Sequence, residues 1–160
     1  MKIITREIAE KFIENASEVG GPAFGYEFKS TIDLSEFSSI ADDAAPVLAI
    51  YKGRELVLDG VQTLSLEAAA SIAKFKGLLS LNGLVELDTG VAICLAKHRY
   101  PKRKWGRHYE PGEVDLILNG VTEISAEVAK ALLQHKGKRL HLKGLKKISA
   151  EVAELFAEAE

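Results

Sequence analysis

A sequence repeat is the feature that most limits how this chain can fold. The segment LILNGVTEISAEVAKALLQHKG, residues 116–137, is followed closely by a near copy, LHLKGLKKISAEVAELFAEAE, residues 140–160. Each copy has an apolar anchor residue before its helix-like half, and these anchors, Ile124 and Ile148, lie 24 residues apart. The anchor recurs upstream at Leu87, Leu64, Ile40 and Ile4. Repeats of this length bury their apolar residues by stacking on one another.

The repeats predict a single repeat domain over residues 1–160. The half repeat at the N-terminus, residues 1–16, has the helix-like part alone and is expected to act as a cap. The full repeats lie near residues 32–53, 56–77, 79–98, 116–137 and 140–160. Two insertions, 17–31 and 99–115, lengthen the otherwise regular spacing. Insertions in repeat proteins map to loops on one face, which is often a binding face.

The front half of each repeat alternates apolar and polar residues, as in Leu116-x-Leu118 and Leu140-x-Leu142. Alternation over so few residues predicts a short strand whose leucines share one side. A glycine follows this strand in four of the five repeats, at Gly60, Gly83, Gly120 and Gly144. Because glycine permits a close backbone approach, we expect the chain to turn there.

The rear half of each repeat has the 3.6-residue period of an amphipathic helix. Natural N-cap residues precede three of these helices, at Ser65, Ser125 and Ser149. The helix that contains Pro46 is expected to be capped by Asp42 or Asp43. Lys-Gly pairs at 76–77 and 136–137 predict the C-terminal ends of two helices. Stacking then predicts parallel strands on one side of the molecule and helices on the other.

These units resemble leucine-rich repeats. The L-x-L-x-x-hydrophobic-x-x-I-[ST] front and the A-x-x-L-[AL] rear are similar to the cysteine-containing subtype, over residues 32–160 and the half repeat. The cysteine of that subtype is replaced by Phe37, Val61, Leu84, Val121 and Leu145. Its Thr-Asp pair becomes Ser-Ala or Ser-Leu, which suggests a distinct, bacterial variety. The resemblance implies an α/β solenoid with short parallel strands on the concave side and helices on the convex side, which binds macromolecules through its strand face.

Residues between the inward leucines are expected to line the strand face in columns. The candidate contact residues on this face are Val57, Leu78, Ser80, Asn82, Ile117, Asn119 and His141. The charge along these columns changes from acidic near Asp33 to basic near Arg139. A plain solvated sheet face is the alternative interpretation of the same pattern.

The second insertion places six Lys and Arg residues around the chain's one tryptophan, between residues 97 and 107. The candidate contact residues here are Arg99, Tyr100, Lys102, Arg103, Lys104, Trp105, Arg107 and Tyr109. Tryptophan and arginine are frequent hot spots in protein interfaces, which favours an unidentified protein partner. Nucleic acid or another polyanion, bound through residues 97–108, is the alternative, because basic residues neutralise phosphates and aromatic rings stack on bases. A solvated loop that packs on the repeat edge is also compatible.

Composition argues for a non-catalytic module. The net charge is −2 and there is a single cysteine, Cys94, so no intramolecular disulfide is possible. We expect neither an apolar leader nor a membrane span, and a cytoplasmic location. His98, His108, Glu110 and Asp115 follow no metal-ligand spacing, so no metal, cofactor or enzyme activity is expected. The chain is expected to be a monomer or a weak dimer through its last strand.

Overall fold

The computed structural model describes residues 1–18, 31–98, 115–135 and 139–159. Within these ranges the chain alternates short strands and helices. The strands are β1 (Ile3–Ile4), β2 (Thr31–Asp33), β3 (Ser39–Ile40), β4 (Glu55–Val57), β5 (Leu78–Ser80), β6 (Asp115–Ile117) and β7 (Arg139–His141). The helices are α1 (Arg6–Glu18), α2 (Ala45–Ala49), α3 (Leu66–Ile72), α4 (Thr89–Ala96), α5 (Ala126–Leu132) and α6 (Ala150–Glu158).

The predicted α/β class and the predicted parallel strands are confirmed. A five-stranded parallel sheet has the order β2-β4-β5-β6-β7, so β2 and β7 are its outermost strands among the described residues. The strands pair in the register that the repeat predicts, with Leu56 beside Leu79 and Leu116 beside Leu140. The helices α1 to α6 pack in chain order, each against the next. Strand and helix therefore advance together by one repeat at a time.

A second, two-stranded sheet joins the N-terminal segment to the segment after β2. β1 pairs with β3, and the two anchor residues Ile4 and Ile40 are direct partners. α1 then packs on α2, and Phe12 of α1 contacts Phe37 edge-on with ring centroids 6.4 Å apart. The N-terminal strand and helix therefore pack directly against β3 and α2.

The core lies between the five-stranded sheet and the helices. The inward leucines Leu58, Leu81 and Leu118 are fully buried there. Small residues on the helix side, Ala69 and Ala129, are also fully buried and let the helix layer approach the sheet closely. Cys94 is half-buried in α4.

The glycines after the strands contact the backbone of the preceding repeat. A Cβ at Gly120 would overlap with the carbonyl oxygen of Asn82, and a Cβ at Gly144 would overlap with that of Asn119. The turn glycines are therefore required by close approach of two backbones, one repeat to the next.

The predicted serine N-caps are confirmed. Ser65, Ser125 and Ser149 each accept a hydrogen bond from the backbone N–H three residues later. Asp88 supplies the equivalent cap for α4. These bonds satisfy backbone donors that the first turn of a helix leaves open.

Two predictions about helix ends are wrong. The N-cap of α2 is Ala44, which makes no side-chain cap bond, so neither Asp42 nor Asp43 caps this helix. A turn separates Asp42 from α2, and its carboxylate accepts a hydrogen bond from the Ser65 hydroxyl instead. Helix α3 ends at Ile72, well before the Lys-Gly pair at 76–77, because Phe75 turns inward and is fully buried. The second pair, at 136–137, lies outside the described residues.

Replacing a core leucine tests this layout. Leu118→Ala should lower the free energy of unfolding by ~2–5 kcal/mol, because it leaves a cavity between β6 and the helix layer. Chemical denaturation measures the difference. The matched control is Val85→Ala, since Val85 is 51% exposed and its truncation opens no cavity. Equal stability of the two variants would contradict the layout.

Candidate interaction surface

The exposed face of the five-stranded sheet consists of two columns of side chains. The strand register aligns residues one repeat apart, so equivalent side chains lie next to one another across the sheet. One column is Thr31, Glu55, Leu78 and Arg139, and the backbone of Asp115 lies in register beside Arg139. The other is Asp33, Val57, Ser80, Ile117 and His141. The predicted alignment of candidate residues from different repeats is confirmed.

The middle strands of this face carry an apolar group. Val57, Leu78 and Ile117 are half-buried and lie on three successive strands, β4, β5 and β6. Exposed Asp33 lies at the β2 edge and exposed Arg139 lies at the β7 edge. The face therefore combines an apolar group on its middle strands, beside half-buried Glu55, with charges of opposite sign at its two edges.

Asp33 is held in its charged form. Its Oδ1 accepts hydrogen bonds from the Ser35 hydroxyl at 2.6 Å and from the Ser35 backbone N–H at 2.9 Å. These bonds lower the pKa of the Asp33 carboxyl below its ordinary value. The negative charge at the β2 edge is thus stable at neutral pH.

A polar network ties the turns after β4 and β5 together. Asp59 Oδ1 accepts hydrogen bonds from the Ser80 hydroxyl, at 2.6 Å, and from the backbone N–H of Asn82, at 3.0 Å. The Asn82 side-chain amide donates to Asp59 Oδ2 at 3.0 Å and to the Ser80 hydroxyl at 3.1 Å. One carboxylate therefore satisfies donors from the next repeat along the sheet.

The same interaction continues as an amide ladder toward β7. Asn82 Oδ1 accepts from the backbone N–H of Asn119 at 3.0 Å. Asn119 Oδ1 in turn accepts from the backbone N–H of Lys143 at 3.0 Å. Each side-chain oxygen thus binds the backbone of the following repeat. The ladder fixes the spacing of the turns beside the exposed sheet face.

The ladder changes the role of three predicted contact residues. Ser80 is buried, at 4% exposure, and its hydroxyl is engaged by Asp59 and Asn82. Asn82 and Asn119 are half-buried and use their side-chain oxygens for backbone bonds inside the protein. These side chains use their hydrogen-bonding groups within the protein. They therefore stabilise the sheet face and offer few such groups to a partner. The sequence contains the relevant pattern, because Asp59, Asn82 and Asn119 occupy the same repeat position.

The predicted contact residues of the basic insertion, Arg99 to Tyr109, lie outside the described residues. His141, on the β7 edge of the sheet face, is half-buried. Val57, Leu78 and Ile117 are therefore the predicted residues that the structure brings together as an accessible apolar group.

A stack of rings that the sequence reasoning missed runs beneath the C-terminal ends of the helices. Tyr51 and Phe75 lie with ring centroids 6.0 Å apart and nearly parallel planes, 6° from each other. His98 stacks on Phe75, and His135 stacks on His98, each at 6.4 Å. The four residues have the same mutual spacing as the anchor residues, which is the sequence feature that could have revealed them.

His98 is a neutral core residue. Its side chain is fully buried, with Nε2 3.0 Å from the Gly77 carbonyl oxygen and Nδ1 3.4 Å from that of Ala73. The shorter distance favours the tautomer in which Nε2 donates to Gly77. Burial lowers the pKa of His98 to about 4, and a smaller contribution comes from His135. At neutral pH the ring therefore acts as a polar member of the stack.

The described residues contain no group of three or more His, Cys, Asp or Glu side chains that could hold a metal ion. In the same ranges, no helix combines the length and apolar character needed to cross a membrane. Comparison with known proteins gives no match to a family model, a curated protein or a solved structure.

Removal of one side chain of the amide ladder tests its contribution to stability. Asn82→Ala should lower the free energy of unfolding by ~1–3 kcal/mol, because it leaves the Asn119 N–H and Asp59 Oδ2 without their partners. Equilibrium denaturation is the measurement, and Gln62→Ala, at an exposed position, is the control. A ladder that stabilises nothing would leave both variants within ~0.5 kcal/mol of the wild type.

Because His98 is buried in its neutral form, we expect the folded protein to lose stability in acid. Its folded pKa, about 4, lies below the ordinary value of 6.5, so the unfolded chain binds a proton more readily. The free energy of unfolding should therefore fall as the pH drops from 6.5 to 4. The contribution of His98 to this fall is on the order of 3 kcal/mol. His98→Phe, which extends the Tyr51 and Phe75 stack, should lack this component in denaturation curves recorded across that range. The control is His141→Phe, which makes the same substitution outside the ring stack. Identical pH dependence in the wild type and His98→Phe would contradict the assignment.

Proposed function

We propose that the chain is a non-catalytic protein–protein interaction module of the leucine-rich-repeat type. In this proposal the sheet forms the concave face of a solenoid and the helices form its convex face. The observation that carries it is the apolar group of half-buried Val57, Leu78 and Ile117 on three neighbouring strands of the sheet, with Val57 and Ile117 on either side of Ser80. Exposed apolar residues surrounded by polar ones are typical of protein contact sites.

The rigidity of the face supports this function. The amide ladder through Asn82 and Asn119 fixes the turns beside the strands, so the backbone that carries the apolar side chains has little freedom to lose on binding. A preorganised surface binds more tightly because less conformational entropy is lost.

The charges at the two edges would orient the partner. Asp33 lies at one edge of the face and Arg139 at the other, about four strand spacings away, or ~19 Å. A partner with complementary charges would bind in one direction across the strands, because reversal would bring like charges together.

The basic aromatic insertion supplies a second contact in this proposal. Its Lys102, Arg103, Lys104 and Trp105 follow α4 in the chain, and the support for their role comes from their residue types. The proposed location is the cytoplasm, because a chain with one cysteine suits a reducing compartment.

A capture experiment with matched variants tests the proposal. The bait is incubated with lysate of its native host, with nuclease added, and the bound proteins are identified by mass spectrometry. Ile117→Glu changes the exposed sheet face. Ile93→Glu introduces the same charge at a position that is 46% exposed on helix α4. The third bait carries alanine at Lys102, Arg103, Lys104 and Trp105.

The proposal predicts a nuclease-resistant protein that Ile93→Glu retains and Ile117→Glu loses. Additional loss with the alanine bait would support the insertion as a second contact. Captured material that is present without nuclease and absent with it would favour the polyanion alternative. Equal capture by Ile117→Glu and Ile93→Glu would contradict binding through the sheet face.

A further inference from the structure

The outer sides of α2, α3 and α4 form a surface with an apolar centre. These helices follow one another by one repeat and pack in chain order, so their outer sides lie next to one another. We call this surface the helix face. Its exposed apolar residues are Pro46, Ile50, Leu66, Ala70 and Ile93, and half-buried Val47, Ser71 and Cys94 lie among them.

The helices α5 and α6 carry charge where the helix face is apolar. Ile93 of α4 aligns with Lys130 of α5 and with Glu154 of α6. On the helix face, Ile50 is 71% exposed, Leu66 is 57% exposed and Ile93 is 46% exposed. A contiguous group of large apolar side chains in contact with water marks an interaction site rather than an ordinary helix surface.

The charges of the helix face are separated by sign. Exposed acids lie at the N-terminal ends of the three helices, and exposed lysines lie at their C-terminal ends. The acids are Asp42, Asp43, Glu67 and Asp88, and the lysines are Lys52, Lys74, Lys76 and Lys97. This arrangement complements the helix dipoles, so by itself it assigns no partner. It does require an occupant of the whole face to present basic groups at one end and acidic groups at the other.

The charges on the central helix are available to such an occupant. Among the described residues, no salt bridge engages Glu67 or Lys74. Arg6 of α1 lies near Asp43, but its guanidinium donates to Glu10 at 2.8 Å. The acidic end of the helix face therefore keeps its negative charge beside α1.

A second copy of this chain meets the charge requirement. Glu67 lies three residues before Ala70, and Lys74 lies three residues after Ser71. A two-fold axis perpendicular to the helix face, between Ala70 and Ser71, sets the two copies of α3 antiparallel. Each Glu67 then lies opposite the other copy's Lys74. Because Ala70 and Ser71 are small, the two helices can approach closely at the axis.

The same axis matches the flanking helices. It sets α2 of one copy against α4 of the other, with N-terminal positions opposite C-terminal ones. In repeat alignment, Asp43 then lies opposite Lys97, and Val47 lies opposite Ile93. Ile50 lies opposite the first turn of α4. A parallel arrangement would instead bring acids against acids and lysines against lysines.

We infer that two copies of this chain associate through the helix face, as a two-fold dimer with antiparallel α3 helices. The sheet lies on the other side of the helices, so the dimer leaves both sheet faces accessible. The inference is therefore independent of the proposed function. Together with that function, it makes the protein bivalent for its partner.

Sedimentation equilibrium at low salt, over a concentration series up to about 1 mM, measures the dimer. Leu66→Glu should weaken dimerisation at least about tenfold, because it places a charge among the apolar side chains. Val85→Glu, outside the helix face and comparably exposed (51% against 57%), should stay within about twofold of the wild type. A wild type that is monomeric over the whole series, or equal weakening by both variants, would overturn the helix-face dimer.

Charge reversal tests how the two copies pair. Glu67→Lys or Lys74→Glu alone should weaken the dimer at least about tenfold, since each brings like charges together at two symmetric positions. An equimolar mixture of the two variants should restore association, because each chain then meets the opposite charge on the other. No recovery in the mixture would overturn the antiparallel pairing.

Ile93→Glu and Ile117→Glu separate this surface from the exposed sheet face. The inference predicts that Ile93→Glu weakens the dimer and that Ile117→Glu retains it. These effects are the reverse of those expected for capture of a partner by the sheet face. A dimer lost with Ile117→Glu and retained with Ile93→Glu would assign self-association to the sheet face and overturn the inference.

Discussion

Each repeat of this protein has a strand edge and a row of apolar side chains that a neighbouring repeat must cover. The turn glycines determine how closely the neighbours approach, because a side chain at Gly120 or Gly144 would overlap with the backbone of the repeat before it. At this spacing the strands form hydrogen bonds and the inward leucines, such as Leu81, lose all contact with water. Burial of apolar surface then supplies the main stabilisation.

The amide ladder and the ring stack add specificity to this apolar core. The ladder binds backbone N–H groups at the turns beside the strands, through Asp59, Asn82 and Asn119. The ring stack fills the space below the helix ends, and its buried His98 makes that space acid-sensitive. Because buried polar groups need their partners, both devices favour one register over a slipped one. A fixed register is also what keeps Val57, Leu78 and Ile117 together on the proposed binding face.

Sequence periodicity predicted the parts of the structure that depend on apolar spacing. The strand register and the pairing of Ile4 with Ile40 follow directly from the repeat. Local side-chain choices were less predictable. Asp42 is a residue type that often caps helices. Because a turn separates it from α2, its carboxylate instead accepts a hydrogen bond from the Ser65 hydroxyl. The sequence predicted Ser80 as a contact residue, but Ser80 is buried and its hydroxyl donates to Asp59 in the neighbouring repeat, which periodicity alone does not reveal.

Amide hydrogen exchange, measured residue by residue by NMR on the isolated chain, tests the stacked-repeat account most directly. The account predicts slow exchange at Leu58, Leu81 and Leu118, whose N–H groups bond to the next strand, and at Asn119, whose N–H bonds to Asn82. It predicts fast exchange at Leu142, which follows β7 and whose N–H has no such acceptor among the described residues. Protection of Leu142 equal to that of Leu118, or rapid exchange at all five positions, would contradict it.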